Sequence, residues 1–263
     1  RLHLVSNRPD LQLLPWEYLQ DPDQVPGPNV MRSVVRIVPT VGLDPPTPLK
    51  LSSRKIKILF ASADPSDQDL VSWPDVKASI ERVFAARLPD SFELEAIEAT
   101  GRGTLLDAVQ RSEFDIFHFS GHGIVQSGAG QIVLTDRRGR STYLGGDELG
   151  TALRGRNIKL AVLSACDTAS GDFSNNFAVT AEALVRAGIP AVVANQLPIP
   201  DASVAVFTGA MYDKLLRSGD IDQSVGEGRV RLAVELAAGQ DAVLEWGIPT
   251  LYRHLAGAEI FEP

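Results

Sequence analysis

From residue 55 onward the chain switches repeatedly between two hydrophobic periods. Residues 55–63, "KIKILFASA", are a near-continuous apolar run, the pattern of a strand covered on both faces. Residues 69–88 then place Val76, Ile80, Val83 and Phe84 at helical spacing. A strand over 92–100, a helix over 104–111 and a strand over 115–120 follow, and this alternation predicts βαβ units around a mostly parallel sheet. The rhythm breaks at 130–145, where two short strands flanking "DRRGR" predict a surface hairpin. It resumes with a helix over 146–155, a strand over 158–166, a helix over 177–188 and a strand over 191–196. Helices near 201–217 and 222–239 and a strand within 246–257 complete the predicted order.

The first part of the chain reads differently. Residues 33–39, "SVVRIVP", cluster β-branched side chains before a proline and predict a strand. Residues 40–54 carry three prolines and little apolar content, the signature of a connection. So short a leading segment cannot bury a core of its own. Residues 1–54 are therefore expected to form an arm and strand packed on a main domain that spans 55–263.

Composition narrows the function classes. At 263 residues and 44% hydrophobic, the chain suits one large α/β unit. Lys+Arg 25 against Asp+Glu 33 gives a net charge of -8, which weighs against a broad nucleic-acid face. The single cysteine, Cys166, can form neither an internal disulfide nor a four-cysteine metal site, and fits a reducing, cytoplasmic compartment. No apolar run approaches the roughly 18 residues of a membrane helix, and "RLHLVSNRPD" lacks the layout of a signal peptide. Starting at Arg1, the chain reads as a piece of a longer protein. The glycines of "GRGT" and "GAGQ" lack the lysine and hydroxyl residue of a phosphate loop, so no nucleotide or other cofactor is expected.

Two segments carry candidate chemistry. "FDIFHFSGHG" (114–123) and "IKLAVLSACDTASG" (158–171) are both apolar strands running into small and polar residues. Parallel sheets present their sites beyond the carboxyl ends of the strands, which places His122 and Cys166 on one edge. A histidine beside a thiol stabilises thiolate or relays a proton. Gly121 and Gly123 give the backbone room around His122, and the N–H groups of Gly123 and Cys166 are candidates for an oxyanion hole. Ser120 and Ala165 flank the pair, and His118, inside the apolar strand, reads as a buried, hydrogen-bonded support. A structural cysteine and a turn histidine would give the same local pattern. Asp115 and His118 fall on opposite faces of their strand, so no metal set converges. Asp167, beside the cysteine, with Asp136, Asp147 and Asp201, would make this edge acidic and suit a basic substrate side chain, if their loops fold towards it.

The segments "FDIFHFSGHG", "LSACDTASG" and "AEALVRAGIPAVVANQLPIPD", together with "LPWEYL", "MYDKLL" and "WGIPTLYRHLAG", resemble the CHAT domain family. That family groups with caspase, separase and gingipain-type cysteine peptidases. The resemblance implies a caspase-like three-layer αβα sandwich whose central, mostly parallel sheet has about six strands. It implies a His122–Cys166 dyad, 44 residues apart, that hydrolyses peptide bonds of a protein partner. It also implies control by attached repeat or sensor domains or by an operon partner; the charge and the lack of a long apolar run leave no direct nucleic-acid or membrane binding expected. The surrounding "SACDT" departs from the caspase pattern of Gln-Ala-Cys followed by Arg, Gln or Gly, which puts an aspartate-cleaving preference in doubt. A non-catalytic interaction module on the same fold is the rival reading. Loops 124–130 and 167–176, rich in small and polar residues, are expected to become ordered only on activation.

Overall fold

The computed structural model describes residues 2–6, 8, 11, 14–19, 34–40, 46–165, 177–197, 199–236, 242–255 and 258–263. The elements run in the order β1 (Leu2–Val5), β2 (Val34–Ile37), β3 (Leu49–Lys50), β4 (Ile56–Ser62), α1 (Trp73–Arg87), β5 (Phe92–Ile97), α2 (Arg102–Arg111) and β6 (Ile116–Gly121). Next come β7 (Gly123–Gln126), β8 (Ala129–Thr135), β9 (Ser141–Gly145), α3 (Gly146–Leu153), β10 (Leu160–Ala165), α4 (Ala178–Arg186) and β11 (Ala191–Asn195). The chain ends with α5 (Asp201–Ser218), α6 (Ile221–Leu236), β12 (Pro249–Arg253) and β13 (Phe261–Glu262).

The main sheet has eight strands in the order β1-β2-β12-β11-β10-β6-β4-β5, parallel except where β12 meets β11. About six were expected. The two extra strands come from the leading segment, since β2 pairs with β12 and β1 pairs with β2, extending the same sheet. The terminal strand is shorter than the 246–257 reading because a 3-10 turn occupies 242–247.

Period-two alternation sorts the side chains into two cores. Ile58 and Phe60 on β4, Ile116 on β6 and Val162 on β10 face one layer, built from Val76, Ile80 and Phe84 of α1, Phe207 and Met211 of α5, and Val225 of α6. Leu59, Phe117, Phe119 and Leu163 face the other, built from Leu105 of α2, Leu149 of α3 and Leu184 of α4. This is the three-layer αβα sandwich.

The hairpin region is larger than two strands. β7, β8 and β9 form a separate antiparallel sheet, with Gln126 opposite Ala129. Ser127 (φ 52°) and Gly128 (φ 80°) supply the two positive-φ positions that a tight two-residue hairpin turn requires. Residues 124–130, expected as an unordered loop, are therefore paired, while 167–176 lie outside the described residues.

Candidate active site

The carboxyl ends of β4, β6 and β10 form the crest on which the site is built. β10 and β6 are adjacent and parallel, with Ser164 opposite Ser120 and Ala165 opposite Gly121. On the other side of β6, Ser62 of β4 is also opposite Ser120. A row of three serines thus crosses the crest, one residue below its tip on β6 and β10.

His122 follows β6 directly and is 2% exposed. Its carbonyl accepts the Val133 N–H at 2.9 Å, which ties its backbone to β8. Its Nε2 lies 2.8 Å from the Asp69 carbonyl oxygen. A carbonyl only accepts, so Nε2 carries the proton, and in the neutral ring Nδ1 is then the acceptor. That Nδ1 is buried and has no hydrogen-bond partner among the described residues. Among the described residues the imidazole is therefore oriented by one nitrogen, with the other left as an unpartnered acceptor.

The flanking glycines are required by packing. A β-carbon on Gly123 would overlap the Phe177 ring, and one on Gly121 would sit 2.7 Å from the Phe119 ring. Two aromatic side chains of the second core thus press against the backbone on either side of His122.

Asp69 belongs to the loop joining β4 to α1, and that loop is held at several points. Ser66 donates its N–H to the Gly139 carbonyl at 2.8 Å, and Asp67 Oδ1 accepts the Ser141 N–H at 2.8 Å, both from the β8–β9 turn. The Ser141 hydroxyl, also donating to Asp67, holds that carboxyl below its ordinary range. On the opposite side Ser72 donates its N–H to Asp201 Oδ2 at 2.9 Å. The orientation of His122 consequently depends on an anchored loop.

His118 lies four residues earlier on the same strand and is fully buried. Its Nδ1 is 3.1 Å from the Tyr212 hydroxyl, its Nε2 3.3 Å from Ser164 Oγ, and its ring stacks on Phe60 at 5.4 Å. Burial pushes its pKa down to about 3, so it is a neutral structural group at ordinary pH.

The acidic residues separate. Asp136 Oδ1 accepts the N–H groups of Arg138 and Arg140 within its own turn. Asp147 is exposed on the first turn of α3, a helix of the second core. Asp201 opens α5 and touches the loop that carries Asp69. Cys166 and Asp167 lie outside the described residues, as does the Ala165 side chain. Sequence reasoning missed the buried Glu17–Arg36 pair near this end of the molecule, where Arg36 Nη2 is 2.7 Å from Glu17 Oε2 and 3.0 Å from Gln196 Oε1. The traces in the sequence were a glutamate within the apolar "LPWEYL" and an arginine within the strand "SVVRIVP".

The CHAT domain family model matches residues 1–253. This chain belongs to the CHAT domain family. Among solved structures, the CHAT domain is similar to the Saccharomyces cerevisiae separase in its complex with securin, with TM-score 0.52 and 16% identity over 93% of this chain and 15% of that one. It is also similar to the Arg specific cysteine proteinase gingipain R, with TM-score 0.54 and 14% identity over 81% of this chain and 49% of that one. The complex of Porphyromonas gingivalis RgpB pro- and mature domains matches at TM-score 0.54 and 14% identity, over 81% of this chain and 50% of that one. The chain thus spans a minor part of the separase and about half of the gingipain. These likenesses establish a caspase-like fold. A search of curated protein sequences returned no significant match. Among the described residues no helix is long and apolar enough to cross a membrane.

Proposed function

We propose that this CHAT domain is a cysteine endopeptidase that cleaves a partner protein with a His122–Cys166 dyad. The observation that carries this reading is the register of β6 with β10. Gly121 and Ala165 are paired residues on adjacent parallel strands, so each dyad member is one peptide bond, about 3.8 Å in Cα spacing, beyond a paired position. The bare Nδ1 of His122 supports the reading, because a nitrogen that receives a thiol proton must be unprotonated and free.

In this mechanism the Cys166 thiol gives its proton to Nδ1. The thiolate attacks the scissile carbonyl carbon, forming a C–S bond, and the N–H groups of Gly123 and Cys166 receive the oxyanion. Collapse breaks the C–N bond as His122 protonates the leaving amine. Water then adds to the acyl carbon, giving a proton to Nδ1, and the carboxylic acid leaves as the thiolate is restored. No cofactor enters these steps. A cytoplasmic setting and control by attached or partner sensor domains complete the proposal.

The test is covalent labelling by a peptidyl acyloxymethyl ketone. Modification of Cys166 that is lost in both Cys166→Ala and His122→Ala supports the dyad, the histidine change slowing labelling by roughly 100-fold or more. Labelling of Cys166 at equal rates with and without His122 would leave a reactive thiol on a non-catalytic interaction module.

A further inference from the structure

The end of the sheet opposite the crest carries a cavity of its own. It opens where α3 and α4 end and β10 and β11 begin, has a volume of about 310 Å³, and is lined by residues from 153–159 and 185–190 together with Pro46 and His254. Small-molecule sites start at roughly that size. Its floor is apolar, since Ile158, Ala187, Ile189 and Pro190 are buried residues that line it.

Its rim is cationic. Arg154, Arg156 and Lys159 line the cavity, and none of the described lining residues is a carboxylate. Arg154 is exposed, while Arg156 and Lys159 are half-buried. Among the described residues Arg154 and Lys159 have no ion-pair partner, and Arg156 commits only Nη1, to the Gln110 carbonyl at 3.4 Å. Neighbouring carboxylates are engaged away from the rim: Asp115 holds Arg54 at 2.8 Å, Glu182 holds Arg186 at 2.6 Å, and Glu113 accepts the Asn157 amide at 3.3 Å.

Cations are common where helices end, because they answer the helix dipole, and two helices end here. That role accounts for only part of the charge. Each helix end amounts to about half a negative charge, so three fixed cations leave a surplus of about two positive charges. The last carbonyls of α4 are moreover already met by backbone, with the N–H groups of Ala187, Gly188 and Ile189 donating to Ala183, Val185 and Leu184. The larger groove between α1 and α6, about 590 Å³, differs in kind: Arg82, Arg217 and Arg231 are offset there by Asp213, Glu227 and Glu235. In a chain of net charge -8, the one-signed rim is a local property of the smaller cavity.

We infer that this cavity binds a small phosphate ester, with the phosphate held at the rim by Arg154, Arg156 and Lys159 and an apolar or flat body resting on Ile158, Ile189 and Pro190. A phosphate ester carries about 1.5 to 2 negative charges near neutral pH, which matches the surplus, and a guanidinium meets its oxygens with two parallel N–H donors. A carboxylate brings half that charge. Inorganic phosphate leaves the floor uncovered, and an uncharged ring leaves the cations unanswered. The cavity stands at the amino ends of β10 and β11, about 17 Å along β10 from Ala165, so it is separate from the crest and independent of the peptidase reading.

The test is calorimetric titration of the chain with phenyl phosphate, AMP, inorganic phosphate and adenosine. Phenyl phosphate and AMP should bind saturably, roughly 10-fold or more tighter than either inorganic phosphate or adenosine, and more weakly as salt is added. Arg154→Gln combined with Lys159→Gln should weaken both esters by roughly 10-fold or more, whereas Arg156→Lys should retain most of the affinity. Arg154→Gln alone, at an exposed position, should weaken them measurably, and an unchanged melting temperature without ligand shows that this variant is folded. Cys166→Ala should bind as the wild type does, so a failed dyad leaves the result standing. No saturable binding of either ester, inorganic phosphate binding as tightly as AMP, or ester binding unchanged in the substituted chains overturns the inference. Tighter binding of hexaglutamate or of an oligonucleotide than of AMP also overturns it, making the rim a surface for a macromolecule.

Discussion

Two buried polar clusters sit near the crest of this molecule, and they are finished to different degrees. Around Arg36 most groups are answered by protein: Glu17 takes both Arg36 Nε and Nη2, Gln196 bridges Arg36, Glu17 and the Gly247 carbonyl, and Arg229 donates twice to the Pro249 carbonyl, while Arg36 Nη1 and the Tyr252 hydroxyl have no partner among the described residues. Between the sheet and α5, Ser62 Oγ, Ser120 Oγ, Thr208 Oγ1 and Asp201 Oδ1 are buried and have no hydrogen-bond partner among the described residues. The first arrangement joins the leading segment to the sheet. A buried polar network rigidifies the fold as far as its members satisfy one another, and each member left unpaired costs stability.

The contrast is broken first at Glu17. Replacing it with alanine leaves Arg36 and Arg229 buried without their carboxylate, and should cost about 3–5 kcal/mol in a chemical unfolding measurement. A loss below about 1 kcal/mol would mean that the network is hydrated rather than dry. Next comes acid. The His118 pKa is depressed to about 3 in the fold, while an unfolded imidazole titrates near its ordinary 6.5. The unfolded chain therefore binds a proton that the folded one refuses. Stability from this residue is complete above pH 6.5 and falls as pH drops towards 3, by up to about 1.4 kcal/mol per pH unit. Unfolding curves at pH 7 and pH 5 should show this loss in the wild type and a smaller one in His118→Gln.

The unpartnered hydroxyls between the sheet and α5 should behave in the opposite sense. Ser120→Ala and Thr208→Val remove unpaired hydroxyls and should change unfolding stability by less than about 1 kcal/mol, with stabilisation the favoured sign. A loss above about 2 kcal/mol would show that these hydroxyls are engaged within the fold. The smallest effect belongs to exposed pairs such as Arg102 with Glu148, 2.8 Å apart. Arg102→Ala should shift stability by under about 1 kcal/mol, and added salt should shrink even that.

How far the sequence foretold this picture differs by residue. The βα order from β4 onward was legible because each element buries a face and so shows its period, as Ile58 and Phe60 do on β4. His122 was legible because a strand running into "SGHG" announces a crest. β7 was not, since four residues beginning with a glycine carry too little pattern, and their pairing depends on the turn at Ser127 and Gly128. The joining of β1 and β2 to the sheet was hidden because it depends on the distant strand β12. Glu17 and Arg36 are charged residues in apolar positions, which hydropathy reads as exposed. Asp201 stood in the sequence as one aspartate among several. Only its hold on the Ser72 N–H, in the loop that carries Asp69, tells it from Asp136 and Asp147.

The grip of Glu17 on Gln196 has a practical side. Gln196 directly follows β11 and lies five positions before Asp201, so the segment ahead of residue 20 steadies the stretch that leads into α5. A version trimmed to begin after that segment would strip two buried guanidinium groups of their anion. Expression boundaries placed there would also remove β1 from the edge of the sheet and yield a weakened protein.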